Sequence, residues 1–85
     1  MTEIDIPCRL VIVDGREIEL SRSAFDTVLL LSSRPGVVRT RGEILDMLGN
    51  YSSDVRAVDT IIKRIRRAGI PNIRTRYDVG YAWKA

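Results

Sequence analysis

The stretch "RAVDTIIKRIRRAGI", residues 56–70, decides the fold because it combines an aliphatic helical face with a cationic one, and it holds five of the chain's fourteen Lys and Arg residues. At about 100° per residue, the aliphatic side chains fall within an arc of about 120°: Val55, Val58, Ile61, Ile62 and Ile65. The opposite arc carries Arg56, Asp59, Thr60, Lys63, Arg64 and Arg67. Gly69 tolerates the left-handed cap conformation and Pro71 cannot continue a helix. The pattern predicts a helix over residues 54–68 that buries the first face and exposes the second.

The residues before this helix predict a small antiparallel sheet over residues 1–20. "RLVIVDGREIEL", residues 9–20, has strand-forming residues on both sides of Asp14-Gly15, a dipeptide that suits a tight hairpin turn. "EIDI", before Pro7, adds a third strand. Cys8 is expected to be a small strand residue and not a reactive thiol.

A first helix is predicted over residues 21–34, where the period of the apolar residues becomes helical. Ser21 or Ser23 can cap its start, and Pro35-Gly36 ends it. The face expected to be buried carries Phe25, Val28, Leu29 and Ser32.

A second, shorter helix is predicted over residues 41–48. Thr40 precedes Glu43 by three residues, which is the spacing of a capping box, and Gly49-Asn50 ends the helix. Its single apolar stripe consists of Ile44, Leu45 and Leu48.

The residues after the third helix, 72–84, predict a hairpin with its turn near Asp78. Polar and apolar side chains alternate along both arms of this hairpin. Tyr81 and Trp83 share one side, which is expected to pack on the third helix. Between the second and third helices, Tyr51 is expected to anchor the loop.

The composition excludes several classes of function. Eighty-five residues make one domain with a modest core and no room for a large cleft. No histidine is present and the lone cysteine cannot form an internal disulfide, so we expect no enzyme, no metal site and no cofactor. The most hydrophobic run, residues 28–31, is far shorter than the roughly 20 residues of a membrane span. This favours a cytoplasmic protein without a membrane partner.

The charges are unevenly distributed along the chain. Residues 1–38 hold four arginines against six acids, whereas residues 39–76 hold nine Lys and Arg residues against four acids. One part of the fold is therefore expected to carry a positive surface suited to a polyanion.

The predicted order of strands, three helices and a hairpin is typical of an α+β winged helix-turn-helix domain. The motifs resemble those of the C-terminal effector domain of OmpR/PhoB-type response regulators. Residues 20–31 are similar to the family's L-[TS]-x-x-E-F-x-L-L, and residues 35–45 to its P-G-x-[VL]-x-[ST]-R-x-x-L-L. Residues 56–67 are similar to R-x-V-D-x-x-I-x-R-L-R-[RK]-K, and residues 73–81 to I-x-T-V-R-G-x-G-Y. In that order, the four motifs cover most of the chain.

The resemblance implies a bacterial, sequence-specific transcriptional regulator that binds double-stranded DNA. In this family the third helix enters the major groove and the hairpin, called the wing, reaches the adjacent minor groove. Arg64 and Thr60 are candidates for base contacts, because they lie mid-helix on the exposed face and a guanidinium can donate twice to guanine. The candidates for phosphate contacts are Arg56, Lys63, Arg67, Thr40 and Arg41. The start of the wing adds Arg74, Thr75 and Arg76, with Tyr77 as a candidate for stacking on a base.

Asp59 is the single acid within residues 56–70. We expect it to form a salt bridge with Lys63, four residues further along, or to fix Arg56. A base contact is the less favoured alternative.

The sequence departs from the family at three places. Tyr77-Asp78 stands where the family carries Arg-Gly at the wing turn, which leaves Arg76 as the substitute cation. "GNYSSD", residues 49–54, is shorter than the family's polymerase-contacting loop. The chain starts at Met1 just before the strands, so the expectation is a stand-alone domain without a receiver domain. Such a domain would be controlled by its abundance, by a partner or by competition for a site.

The sequence also bears on the partners of the protein and on its copy number. The alternative function is a protein-interaction module that uses the same fold to bind an acidic partner or a larger regulator. For a DNA-binding regulator, the resemblance implies RNA polymerase or another regulator as a further partner. One helix in one groove contacts few base pairs. We therefore expect a dimer or tandem pair on DNA, and a monomer or weak dimer in solution.

Overall fold

Three short antiparallel strands open the chain, followed by three helices and a C-terminal hairpin. The computed structural model describes residues 1–49 and 54–84, so the loop expected to contain the Tyr51 anchor lies outside the described residues. The elements are β1 (Thr2–Asp5), β2 (Leu10–Val13), β3 (Arg16–Glu19), α1 (Arg22–Ser33), β4 (Arg39–Thr40), α2 (Arg41–Leu48), α3 (Arg56–Arg67), β5 (Ile73–Arg76) and β6 (Gly80–Trp83).

The N-terminal sheet has the order β1-β2-β3 and presents one face to the core. Asp14 and Gly15 both have positive φ, 50° and 84°, so the predicted tight turn joins β2 to β3. Inward-pointing Val11, Val13 and Ile18 are buried, as period-two alternation requires.

Cys8 was predicted to be a strand residue, and that prediction is wrong. Cys8 is exposed in the turn between β1 and β2. Its backbone N–H donates to Asp5 Oδ1 at 3.1 Å, so the loop is closed by the acid that precedes it. The charge of Asp5 raises the pKa of the Cys8 thiol, which makes the thiolate less accessible at neutral pH.

Helix α1 begins at the predicted cap, since the Ser21 hydroxyl accepts from the backbone N–H of Ala24. The buried face of α1 consists of Ala24, Phe25, Thr27, Val28 and Leu31. The expectation that Ser32 shares this face is wrong. Ser32 is only half-buried and its hydroxyl donates back to the carbonyl of Leu29, while Leu31 supplies the apolar contact three residues after Val28.

Helix α2 has the predicted capping box, and it ends at Gly49 with a φ of 74°. Ile44 and Leu48 are buried, and Leu45 packs at the edge of the core. The start of α2 is fixed from outside by β4, which pairs with β6.

Helix α3 buries Val58, Ile61, Ile62 and Ile65. Val55, predicted to join them, is 41% exposed because it precedes Arg56, the first helical residue. At the other end the helix passes through Ala68 into Gly69, whose φ is 103°. The helix is therefore shorter than the predicted range of 54–68, which also contains the residues that flank it at both ends.

The C-terminal hairpin joins β4 in a second sheet of order β4-β6-β5. Ile73 pairs with Trp83, and both are buried at the base of the hairpin. Asp78, at the tip, has a φ of 59°, which an aspartate tolerates better than most residues.

One apolar cluster joins both sheets and all three helices, and the predicted α+β winged helix-turn-helix architecture is confirmed. None of the helices in the described parts of the chain has both the length and the apolar character that a bilayer crossing requires.

Candidate nucleic-acid interface

The exposed face of α3 carries cations held outward by the buried aliphatic face behind them. Thr60, Lys63, Arg64 and Arg67 are all exposed. Within residues 1–49 and 54–84, the side chains of Lys63, Arg64 and Arg67 form no ion pair with an acid. Three positive charges are therefore available on one side of the helix for an anionic partner.

Arg56, at the start of the helix, is paired with Asp54. Its Nη2 lies 3.0 Å from Asp54 Oδ2, and its backbone N–H donates to Oδ1 at 2.9 Å. These bonds from Arg56 lower the pKa of the Asp54 carboxyl. The expectation that Asp59 fixes Arg56 is therefore wrong, because an acid two residues before the helix does so.

Asp59 does not pair with Lys63 either, so that expectation is also wrong. Its Oδ1 accepts from the hydroxyl of Tyr81 at 2.6 Å, and its Oδ2 accepts from Arg41 Nη1 at 3.1 Å. Burial and then the Asp59 hydrogen bond raise the pKa of Tyr81. The partners are distant in sequence, since Tyr81 belongs to β6 and Arg41 to α2, and a rule based on i,i+4 spacing does not find them.

The start of α2 brings Thr40 and Arg41 next to the recognition helix. The Thr40 hydroxyl accepts from the Glu43 backbone N–H at 3.1 Å, and the Thr40 N–H donates to Glu43 Oε1 at 3.2 Å. The bond from the Thr40 backbone N–H, and then that from the Thr40 side chain, lower the pKa of the Glu43 carboxyl. Arg41 stays partly exposed beside Asp59.

Metal binding has no geometric basis in the described residues, because no three His, Cys, Asp or Glu side chains are grouped there. The site is instead a cationic surface formed by α3, the start of α2 and the wing.

Comparison with known proteins assigns this arrangement to a family. The family described as "Transcriptional regulatory protein, C terminal" matches residues 15–83. The chain belongs to this family of transcriptional regulator C-terminal domains.

Two curated relatives illustrate the extent of the match. The transcriptional regulatory protein VxrB of Vibrio cholerae is 40% identical over 86 residues, which cover 96% of this chain and 35% of VxrB. The transcriptional regulatory protein PrrA of Mycobacterium tuberculosis is 31% identical over 67 residues, which cover 76% of this chain and 29% of PrrA. The chain thus spans about a third of the length of these relatives.

Solved structures of the same type superpose over nearly the whole chain. The OmpR/PhoB homologue DrrB of Thermotoga maritima has a TM-score of 0.88 and 32% identity, covering 99% of this chain and 42% of DrrB. The RstA DNA-binding domain of Klebsiella pneumoniae, solved in complex with the RstA box, has a TM-score of 0.84 and 27% identity. That match covers 98% of this chain and 90% of the RstA chain.

The transcriptional regulator domain's wing does not present its three predicted contact residues on one side. Thr75 pairs with Tyr81 and faces α3, whereas Arg74 and Arg76 pair with Ala82 and Gly80 and point the other way. Thr75 Oγ1 accepts from Arg66, a residue that α3 uses to hold the wing.

Arg66 is the functional residue that sequence reasoning missed. Its Nη2 donates to the Ile73 carbonyl at 3.1 Å and to Thr75 Oγ1 at 2.8 Å. Its guanidinium carbon also lies 5.9 Å from the centroid of the Tyr81 ring. In the sequence, Arg66 lies beside the aliphatic arc of α3, about 100° away from Arg67, so helical periodicity separates the two but does not reveal the partner of Arg66.

Tyr77 is the residue at the wing tip that stays most open to solvent, with 87% of its surface exposed. The turn is closed by the Val79 N–H, which donates to the Arg76 carbonyl at 2.9 Å. The structure therefore presents an exposed aromatic side chain at the tip of the wing.

Proposed function

We propose that this chain is the sequence-specific, double-stranded DNA-binding domain of a bacterial transcriptional regulator. In this proposal α3 lies in the major groove and the wing lies near the adjacent minor groove. The observation that supports it most directly is that Lys63, Arg64 and Arg67 on α3 form no ion pair with an acid in the described part of the chain. A helix of this width fits the major groove, and free cations displace the counterions of DNA.

Base recognition falls to the middle of the exposed face. Arg64 can donate two hydrogen bonds to guanine O6 and N7, and Thr60, one turn earlier, can reach a neighbouring base edge. Lys63 and Arg67 flank these two residues and suit phosphate contacts that fix the register of the helix. Arg56 can join them with one side of its guanidinium, since the other side is held by Asp54.

Phosphate contacts extend to the start of α2 and to the wing. Thr40 and Arg41 lie at the N-terminus of α2, where backbone N–H groups and the helix dipole favour an anion. Arg74 and Arg76 lie on the side of the wing that faces away from α3 and can reach a second stretch of backbone. Thr75 contributes by supporting the wing through Arg66.

The relatives support this assignment. The RstA domain was solved with its DNA box, and VxrB and PrrA are transcriptional regulatory proteins. We infer that this domain acts in the bacterial cytoplasm, that it carries no catalytic activity of its own, and that RNA polymerase or another regulator is its protein partner on DNA.

The salt dependence of binding to a labelled duplex tests the function. For one domain that neutralises several phosphates, the slope of log K against log salt is expected to be about −4 to −6. A flat salt response would overturn DNA binding by the cationic face. It would favour the alternative, a winged-helix module that binds a protein.

A further inference from the structure

Asp59 joins three elements of the DNA-facing surface although it lies on only one of them. Its two carboxylate oxygens hold different partners, the Tyr81 hydroxyl of β6 at 2.6 Å and Arg41 Nη1 of α2 at 3.1 Å. The Asp59 side chain is 36% exposed, so these bonds are partly shielded from water. A single acid on α3 thereby connects the start of α2 and the wing.

A second residue of α3, Arg66, contacts the hairpin formed by β5 and β6. Arg66 follows Asp59 by seven residues, which is about two helical turns and places both on one side of α3. Arg66 donates to the Ile73 carbonyl and to Thr75 Oγ1, and its guanidinium lies over the Tyr81 ring. Tyr81 is therefore held at its hydroxyl by Asp59 and at its ring by Arg66.

The apolar core holds the base of the wing more firmly than its outer part. Ile73 and Trp83 are buried there, whereas Thr75 and Arg76, closer to the tip, are exposed. Between these two regions the contacts to α3 are the polar ones made by Asp59 and Arg66. The pairing of β4 with β6 at Tyr81 and Gly80 ties the wing to the start of α2. The direct contact between α3 and the outer wing depends on Asp59 and Arg66.

We propose that Asp59 is a positioning residue that locks the recognition helix, the start of α2 and the wing into one rigid unit for DNA binding. The inference rests on the proposed function. It adds that Asp59 couples α3 to the wing, the two elements proposed to contact DNA. A wing fixed before binding loses little freedom on the duplex, which favours simultaneous contacts in both grooves. Asp59 itself touches no DNA in this arrangement.

The sign of the effect separates this role from simple electrostatics. Removing a negative charge beside Lys63 and Arg64 should strengthen binding to a polyanion if charge alone matters. If Asp59 positions the wing, Asp59→Ala should instead weaken binding about tenfold, the order expected for the loss of a charge-assisted hydrogen bond. Asp78→Asn is the charge-matched control, since it also removes one negative charge at the wing while asparagine tolerates the positive φ of 59°, and it is expected not to weaken binding.

The test uses a duplex selected by the wild-type protein from a random-sequence library, with binding titrations and hydroxyl-radical footprints. Asp59→Ala is expected to keep the protection caused by α3 and to lose the flanking protection caused by the wing. Tyr81→Phe, which keeps the ring and removes only the hydroxyl, is expected to lose the same flank. The double variant is expected to bind no more weakly than Asp59→Ala alone, because both changes break one linkage.

Three results would overturn the inference: unchanged or tighter binding of Asp59→Ala, a uniform loss of protection over the whole site, or additive effects in the double variant. If Asp59→Ala fails to fold, the footprint of Tyr81→Phe decides. A wild-type protein that protects no duplex refutes the proposed function and the inference together. A wild-type footprint that Asp59→Ala reproduces unchanged refutes the inference alone.

Discussion

Gly80 shows how a single missing Cβ sets the position of the DNA-facing surface. A Cβ built on Gly80 would lie 2.0 Å from the Arg39 carbonyl oxygen and 2.9 Å from Thr40 Cα. Both are backbone atoms of β4, so a larger residue must push β4 away from β6 and move the start of α2. Gly80 is needed for close approach of two strands, since its φ is not positive.

We therefore expect Gly80→Ala to destabilise the domain by about 3 kcal/mol, because the backbone clash cannot be relieved by a rotamer change. The melting temperature should fall by at least about 12 °C, measured by circular dichroism. Gly42→Ala is the control, because its Cβ would lie 3.9 Å from Thr40 Oγ1 and alanine favours a helix. It should gain about 0.5 to 1 kcal/mol, and equal losses for both variants would contradict the account.

Arg64 and Lys63 are adjacent cations for which we expect different effects. Arg64→Ala should reduce discrimination between the selected site and random duplex by about tenfold or more, because a bidentate base contact is lost. Lys63→Ala should weaken both duplexes by the same factor and reduce the salt slope by about 1, as expected for a phosphate contact. Competition titrations at several salt concentrations measure both quantities. Identical changes on both duplexes from both variants would refute the division of roles.

At the scale of elements, the capping box couples the stability of α2 to pH. Bonds from Thr40 hold the pKa of Glu43 below its ordinary value of 4.5. A group with a lowered folded pKa stabilises the fold above its ordinary pKa, and the contribution is lost as the pH falls through the lowered value. Glu43→Gln has no such titration.

The wild-type melting temperature should consequently fall more steeply than that of Glu43→Gln between about pH 5 and pH 3. Thermal melts of the two proteins across this range provide the measurement. Other acids, such as Asp54, titrate in both proteins, so the difference between the curves reports on Glu43. Parallel curves would show that the charge of Glu43 adds nothing to the cap.

Whole elements were predictable from the sequence where local rules decide them. The aliphatic face of α3, the Thr40–Glu43 capping box and the Asp14-Gly15 turn follow from spacing of a few residues, and all three are present. The two-residue strand β4 was not predicted, because it exists only through its pairing with β6. The tertiary contacts of Asp59 and Arg66 were missed for the same reason.

The candidate site was predicted as a set of residues but not as a geometry. Alternation along β5 puts Thr75 on the side that faces α3 and Arg74 on the opposite side. Of these two residues, Arg74 is therefore the one that can reach a second stretch of DNA backbone. Helical periodicity separates Arg66 from the exposed cations of α3, but the sequence does not show that it holds the wing, because its partners lie on the hairpin. Identifying this role requires the position of the hairpin against α3, which is given only by contacts between residues distant in sequence.

At the scale of the whole molecule, the charge is polarised between the two sheets. The outer face of the N-terminal sheet carries Glu3 and Glu17 on either side of Ile12 in register, with a further row of Asp5, Leu10 and Glu19. The cations of α3 lie in the other half of the chain, where nine Lys and Arg residues stand against four acids. Electrostatics therefore favour an orientation on DNA in which the cations of α3 face the phosphates and the acidic face of the sheet does not.

One oriented domain reads too few base pairs to define a genomic site, which leads to a prediction about copy number. We expect a monomer or weak dimer in solution and two copies on a duplex that carries two direct repeats one helical turn apart, about 10 base pairs. Moving the repeats by about half a turn should abolish joint binding, because the second copy then lies on the opposite face of the duplex. Light scattering gives the mass of the free protein, and native mass spectrometry counts the copies bound to each duplex. Equal occupancy of both duplexes would mean that the two copies bind independently, whereas a stable dimer without DNA would mean that the pairing precedes recognition.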